Sequence, residues 1–278
     1  MDRSPAMRPG LPDPDPQARG TQAPCLLALD TSTECLSVAV LAPDAQFCVN
    51  EPGGKEASAR LIPLLLHLLD QAGITLAELQ AIAFGQGPGA FTGLRTACAV
   101  TQGLALAHDT PVLAIDSLLI VAEDARRQAL ESDPTPSTAP GQGWWVAMDA
   151  RMDEVYAARY HLGADGWQCE MAPQLWTLPA LAQVWAADPP QRVAGSAVTA
   201  FAGRLPWDSA TLWPDTIDRA AALLRLAQAA WAKGQALPPE QALPLYLRDK
   251  VAYTTAERLA GKASQASMTL RTGAVGLA

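Results

Sequence analysis

Asp30 ends an apolar run, Leu26-Leu27-Ala28-Leu29, and opens the polar stretch Thr31-Ser32-Thr33. A carboxylate at such a strand end can hold a Mg²⁺-bound water beside nucleotide phosphates. The same residues also suit a turn bonded to itself, because Asp, Ser and Thr side chains accept from neighbouring backbone N–H groups. The segment Gly85-Gln86-Gly87-Pro88-Gly89-Ala90-Phe91-Thr92-Gly93 is the second one with chemical potential. Glycines ahead of a helix allow close approach of an anion or of another backbone. No Lys-Ser or Lys-Thr follows the last glycine, so it is not a P-loop, and the glycine spacing is not that of a dinucleotide fold. An anion cradle and a strand-to-helix turn needing positive φ both fit it. Arg95, one helical turn on, could add a positive charge there.

Other chemistries find little support. His67, His108 and His161 are far apart and lack i, i+4 partners, so no metal site is expected. There is no G-x-S-x-G elbow, and no cysteine has an evident electropositive setting. Cys25, Cys35, Cys48, Cys98 and Cys169 form no CxxC pair, and an odd count among apolar neighbours reads as reduced thiols in a cytoplasmic protein. Lys plus Arg total 20 against 28 Asp plus Glu, a net charge of −8. Bulk attraction for a polyanion is thereby excluded, and RNA would have to be held by a partner or a local patch. No apolar run approaches the ~20 residues of a membrane helix.

The elements that must position these residues follow an α/β pattern. Strands are expected at 26–29, 36–41 and 47–49, and a helix at 58–72 with Gly73 as its C-terminal cap. Thr75 and Glu78 have capping-box spacing for a short helix. A strand at 81–84 runs into the glycine segment, followed by a helix at 92–108, a strand at 111–115 and a helix to about 130. The second half repeats the opening: a strand at 145–148 ends in Asp149, turns, and returns at 154–160. Laid on the first hairpin, Asp149 falls on Asp30. Helices at 177–187 and 216–234 flank a short strand at 193–195. Two copies of one hairpin-plus-helix plan imply two related lobes, residues 25–131 and 144–258. Residues 1–24 read as a Pro-rich disordered arm, 132–143 as a linker and 259–278 as a flexible tail.

The helix at 58–72 carries Leu61, Ile62, Leu64, Leu65, Leu66, Leu68 and Leu69, more of its circumference than one apolar stripe needs. The helix after the glycine segment carries small residues, Ala99 and Gly103 among them, that admit a close neighbour. Leu61, Leu65, Leu68, Ala99 and Gly103 are therefore interface candidates, and about 800 Å² per partner would make a stable pairing. Full enclosure in one large domain is the equal alternative. On the interface reading, Leu65→Glu abolishes pairing and leaves the lobe folded.

Leu26-Leu27-Ala28-Leu29-Asp30-Thr31-Ser32, the segment 58–63, the glycine segment with its Phe-Thr-Gly-Leu-Arg ending, Asp149-Ala150-Arg151-Met152-Asp153-Glu154-Val155-Tyr156 and Leu245-Tyr246-Leu247-Arg248 stand in the order found in one family. Together they resemble the TsaB (YeaZ) family, the dimerisation subunit of the bacterial machinery that makes threonylcarbamoyladenosine in tRNA. The resemblance covers residues 25–258. It implies a duplicated, two-lobed actin/Hsp70/sugar-kinase-like (ASKHA) fold and a non-catalytic subunit. It implies pairing with TsaD, the transferase with the metal histidines, through helices of the first lobe. TsaE joins as an ATPase, self-pairing uses the same surface, and tRNA is met through the complex. It associates ATP or ADP with the subunit junction, leaving Asp30, Gly87 and Gly89 as candidate contacts. Many members have His where this chain has Ala57, which weakens any metal role further. The alternative class is an ATP-binding sugar-kinase-like phosphotransferase, which needs Asp30 and a second carboxylate between the lobes. A protease comes last, since the sequence offers no triad.

Overall fold

The computed structural model describes residues 23–53, 57–132 and 143–248, so the expected arm, linker and tail lie wholly or almost wholly outside the described residues. Two five-stranded sheets repeat one plan. In the first, β1 (Leu26–Asp30), β2 (Cys35–Ala42) and β3 (Ala45–Pro52) form an antiparallel meander. β4 (Ala81–Gly87) and β5 (Val112–Asp116) add in parallel beside β1, giving the order β3-β2-β1-β4-β5. In the second, β6 (Trp144–Asp149), β7 (Glu154–Gly163) and β8 (Gly166–Thr177) form the meander. β9 (Arg192–Ala194) and β10 (Thr211–Trp213) lie parallel beside β6, giving β8-β7-β6-β9-β10. Strand for strand, the two orders are the same. Asp30 and Asp149 end the corresponding strands, as the sequence repeat implies.

Parallel neighbours need long crossovers, and helices supply them. α1 (Ala57–Ala72) joins β3 to β4, α2 (Phe91–His108) joins β4 to β5, and α3 (Ser117–Ser132) leaves β5. Their counterparts are α4 (Leu178–Ala187), α5 (Ala197–Ala200) and α6 (Arg219–Ala232). α1 ends at Gly73, whose φ of 67° makes the left-handed cap expected there. The capping box at Thr75 and Glu78 starts only a 3₁₀ turn, and burial is withheld from it: none of its three residues is in the core. β10 and α5 were not expected, because three- and four-residue elements are too short to show a period.

Central strand β1 is buried on both faces. Leu27 and Leu29 meet α1 and α2 in one cluster with Val38, Leu61, Leu65, Ile82, Phe84 and Ala97. Leu26 and Ala28 face the other way and pack on Leu223, Leu224 and Ala227 of α6. The second sheet is covered reciprocally by the first lobe's last helix, where Leu118, Val121 and Ala122 of α3 meet Trp144, Val146 and Tyr160. Each lobe thus lends its final helix to the other, and α3 and α6 form a shared central layer. The chain after α6 also returns to the first lobe, since Leu237 and Val112 exchange backbone hydrogen bonds at 2.8 Å. The sequence division at 132–143 does not foretell this exchange. No helix among the described residues is long and apolar enough to cross a membrane.

Candidate functional site: the interlobe cleft and the outer helices of the first lobe

The β1–β2 and β6–β7 turns, the glycine segment and the last described residues enclose a cleft of about 880 Å³. Gly89, Phe91, Asp149, Arg151, Ile217 and Tyr246 are on its wall; Asp30 and Gly87 are not. Asp30 is wholly buried beneath the floor and forms an ion pair with Arg219, itself 3% exposed, at the start of α6. The Ser32 N–H donates to Asp30 Oδ1 at 2.9 Å and the Ser32 hydroxyl to Oδ2 at 3.0 Å. Arg219 Nη2 donates to Ser32 Oγ at 3.1 Å and to the Ser117 carbonyl at 3.2 Å. A buried carboxylate needs such partners to offset its desolvation. Asp30 therefore spends its oxygens on its own chain, as in the self-bonded turn that the sequence also allows.

The glycine segment wraps the same turn. The Ala90 N–H donates to the Ser32 carbonyl at 2.7 Å, and a Cβ on Gly89 would collide with that oxygen. Gly87 has φ 119°, and a Cβ there would lie 2.7 Å from the Leu245 carbonyl. Both positions need glycine for close approach of this chain's own backbone, as a strand-to-helix turn requires. Arg95 is committed as well: its guanidinium lies 3.9 Å over the Phe91 ring, and its Nε donates to Tyr246 Oη at 3.0 Å.

Asp149, the repeat mate of Asp30, does reach the cleft. Its Oδ1 accepts from the Arg151 N–H at 2.8 Å, and Arg151 spans the cleft mouth to Glu34 on the opposing turn at 2.8 Å. Asp149 thus lines the cleft, whereas Asp30, which the kinase-like reading also needs, is buried under its floor. No cluster of three or more His, Cys, Asp or Glu suited to a metal occurs among the described residues.

Asp116, Tyr160 and Glu123, all perturbed, stitch the central layer. Burial raises the Asp116 carboxyl, which accepts from Tyr160 across the lobes, and burial with that nearby charge raises the Tyr160 phenol. Burial alone would raise Glu123, but hydrogen bonds from Arg126, Trp167 and Arg225 outweigh it and hold Glu123 below the ordinary glutamate value. Burial, with the Asp30 charge nearby, pushes the Cys98 thiol up to about 11, so it stays protonated.

The outer helices revise the interface candidates. Leu61, Leu65 and Leu68 are 0%, 0% and 2% exposed, enclosed by their own sheet. They are core, not interface, and Leu65→Glu would unfold the lobe rather than only unpair it. The outward residues are their neighbours, Ile62 at 44% and Leu66 at 46%, with Leu64 half-buried. On α2, which covers the same sheet face, Ala99 and Gly103 are exposed as expected, and Leu106 is 53% exposed. The inner leucines and the outer pair Ile62 and Leu66 lie one position apart, about 100° round a helix, which explains the sequence signal; it could not say which set met the sheet.

A family model described as "TsaD: tRNA N6-adenosine threonylcarbamoyltransferase" matches residues 46–189. The tRNA threonylcarbamoyladenosine biosynthesis protein TsaB of Escherichia coli K12 is 31% identical over 250 residues, covering 85% of this chain and 99% of that protein. The chain belongs to the TsaB (YeaZ) family. The Haemophilus influenzae TsaB is 39% identical over 131 residues, covering 47% of this chain and 51% of that protein. The solved structure of YeaZ from Pseudomonas aeruginosa matches with a TM-score of 0.69 and 38% identity, covering 81% of this chain and 100% of that one. A second solved structure from Pseudomonas aeruginosa, described as an uncharacterized protein with similarity to peptidase YEAZ, matches with a TM-score of 0.70. The two-lobed ASKHA-like architecture is thereby that of the TsaB family.

Sequence reasoning missed Arg219, Glu34 and the cleft-side role of residues 243–248. An arginine opening an Ala/Leu-rich helix carries no local sign that it will be buried opposite a carboxylate 189 positions away.

Proposed function

We propose that this protein works in the cytoplasm as a scaffold subunit in threonylcarbamoyladenosine biosynthesis, without performing the transfer itself. The observation that carries the reading is the aliphatic surface left on the two outer helices of the first lobe: Ile62 and Leu66 of α1 and Leu106 of α2 stand roughly half exposed, and Ala99 and Gly103 of α2 are exposed. Exposed aliphatics on the two helices that cover one sheet face suit an interaction surface. TsaD, whose family model matches this chain, is the partner proposed for that face, and TsaE joins the pair. A second copy of the chain covers the same face when TsaD is absent. The tRNA is held by the complex, in keeping with a net charge of −8. The non-catalytic role draws support from Asp30, Gly87 and Gly89, which are engaged by the chain itself. ATP or ADP is accordingly placed at the junction between subunits rather than on those residues.

Native mass spectrometry of this chain mixed with TsaD and TsaE, with and without ATP, tests the proposal. A complex that is lost in Leu66→Glu and unaffected by Gln183→Glu on α4 is the expected result. No complex with the wild-type chain, together with no stimulation of threonylcarbamoyl transfer in a reconstituted mixture, overturns it.

A further inference from the structure

Residues 243–248 leave the first lobe, pass along the cleft and end on the second lobe. At the first-lobe end the Leu245 N–H donates to the Gln86 carbonyl at 2.8 Å, and Gln86 Nε2 donates to the Leu243 carbonyl at 3.2 Å. Tyr246 stacks on Phe91 with centroids 5.1 Å apart and accepts from Arg95. At the second-lobe end Arg248 Nη2 donates to Glu154 Oε2 at 2.6 Å, to the Ala150 carbonyl at 2.9 Å and to the Arg151 carbonyl at 3.3 Å. The Arg248 side chain is 14% exposed, so these charge-assisted contacts are largely shielded from water.

The turn that Arg248 grips is unusual. Arg151, Met152 and Asp153 have φ of 64°, 60° and 58°, three successive non-glycine residues in the left-handed region. Such a run persists only where its surroundings over-determine it. Arg248 adds to the turn's own Ala150–Glu154 and Glu154–Arg151 hydrogen bonds by binding the carbonyls at the head of the run, and Arg151 within the run reaches Glu34 of the first lobe. The starts of α3 and α6 also line the cleft, through Ser117, Leu118 and Arg219. The strap and the gripped turn line the same cleft and join its two lobes, through Leu245 to Arg248 and Ala150 to Met152.

We infer that residues 243–248 are a built-in latch: the chain holds its two lobes shut with its own peptide, anchored on the glycine segment at one end and on the left-handed turn at the other. The two anchors are then coupled. Release of either one loosens the other and lets the lobes part about the central layer.

Hydrogen–deuterium exchange of the full chain, followed by mass spectrometry, tests the coupling. Arg248→Ala is expected to speed exchange at both anchors, residues 150–156 and residues 243–247 with 86–93, while the β1–β2 sheet at residues 26–41 keeps its protection. Tyr246→Ala leaves Arg248 intact and weakens only the first-lobe anchor. It is expected to speed exchange at residues 150–156, and it decides the matter if Arg248→Ala does not fold. Arg248→Lys keeps the charge but not the fork, and is expected to fall between wild type and Arg248→Ala. If Tyr246→Ala changes only residues 243–247 and 86–93, the strap lies passively on the first lobe and the latch is refuted. Arg248→Ala changing only residues 150–156 refutes it equally.

Discussion

The two lobes share a strand order but not an outer layer. In the first, α1 has 16 residues and α2 has 18; in the second, α4 has 10 and α5 has four. The difference is also chemical. α1 and α2 expose Ile62, Leu66 and Leu106, whereas the outward side of α4 shows Pro179, Gln183, Ala186 and Ala187. The second lobe keeps enough helix to cover its sheet and little more. Its α4 core is closed by Trp145, Trp185 and Trp207, with ring centroids 5.5 Å apart in each contact with Trp185. Duplication thus supplied two frames, and only one retains apolar helix surface beyond the needs of its own core.

The strongest way to break this comparison is through the inner stripe of α1. Leu65→Glu places a carboxylate among Phe84, Leu29 and Ile82 and is expected to abolish cooperative unfolding in a circular-dichroism melt. Leu65→Ala is expected to cost about 2–5 kcal/mol. A fully folded Leu65→Glu variant would mean that the inner and outer stripes have been assigned the wrong way round.

Both lobes hang from the α3–α6 layer, and the next effect tests that. Arg219→Ala strands Asp30 without its buried partner and is expected to cost about 3–5 kcal/mol by urea titration. The exposed Arg204–Asp153 pair, 2.8 Å apart on the second lobe, should cost no more than about 1 kcal/mol when broken. Equal losses would deny the central ion pair its structural role.

Acid titration gives a smaller effect in the same layer. Glu123 has a folded pKa below the ordinary value, so the unfolded chain takes up its proton first as pH falls. The stabilisation is complete above about pH 4.5, the ordinary value, and is lost as pH drops through the depressed one. Glu123→Gln should therefore be less stable than wild type at pH 7, with a gap that narrows in acid. A gap constant from pH 7 to pH 3 would contradict the assignment.

The smallest effect on stability sharpens the comparison most. Leu66→Glu on α1 and Gln183→Glu on α4 are each expected to move stability by no more than about 0.5 kcal/mol. Only the first should change the assembly seen by size-exclusion chromatography. Matching elution for both variants and wild type would remove the functional difference between the two outer layers.

The amino-acid sequence by itself determined the strand-turn-strand repeat, the helix bounded by Gly73, the glycine segment as a strand-to-helix junction and the surplus of aliphatic residues on α1. Each is a local matter of period, turn chemistry or steric allowance, and local signals are written in neighbouring residues. Which leucines of α1 face the sheet, whether Asp30 looks into the cleft or under it, that α3 and α6 cover each other's sheets, and that residues 243–248 cross the cleft were decided only by the tertiary structure. Those outcomes depend on partners outside any local window, up to 189 positions away for Arg219 and Asp30. A long-range contact is settled by burying apolar surface and pairing polar groups across the whole chain at once, and no window of sequence carries that sum.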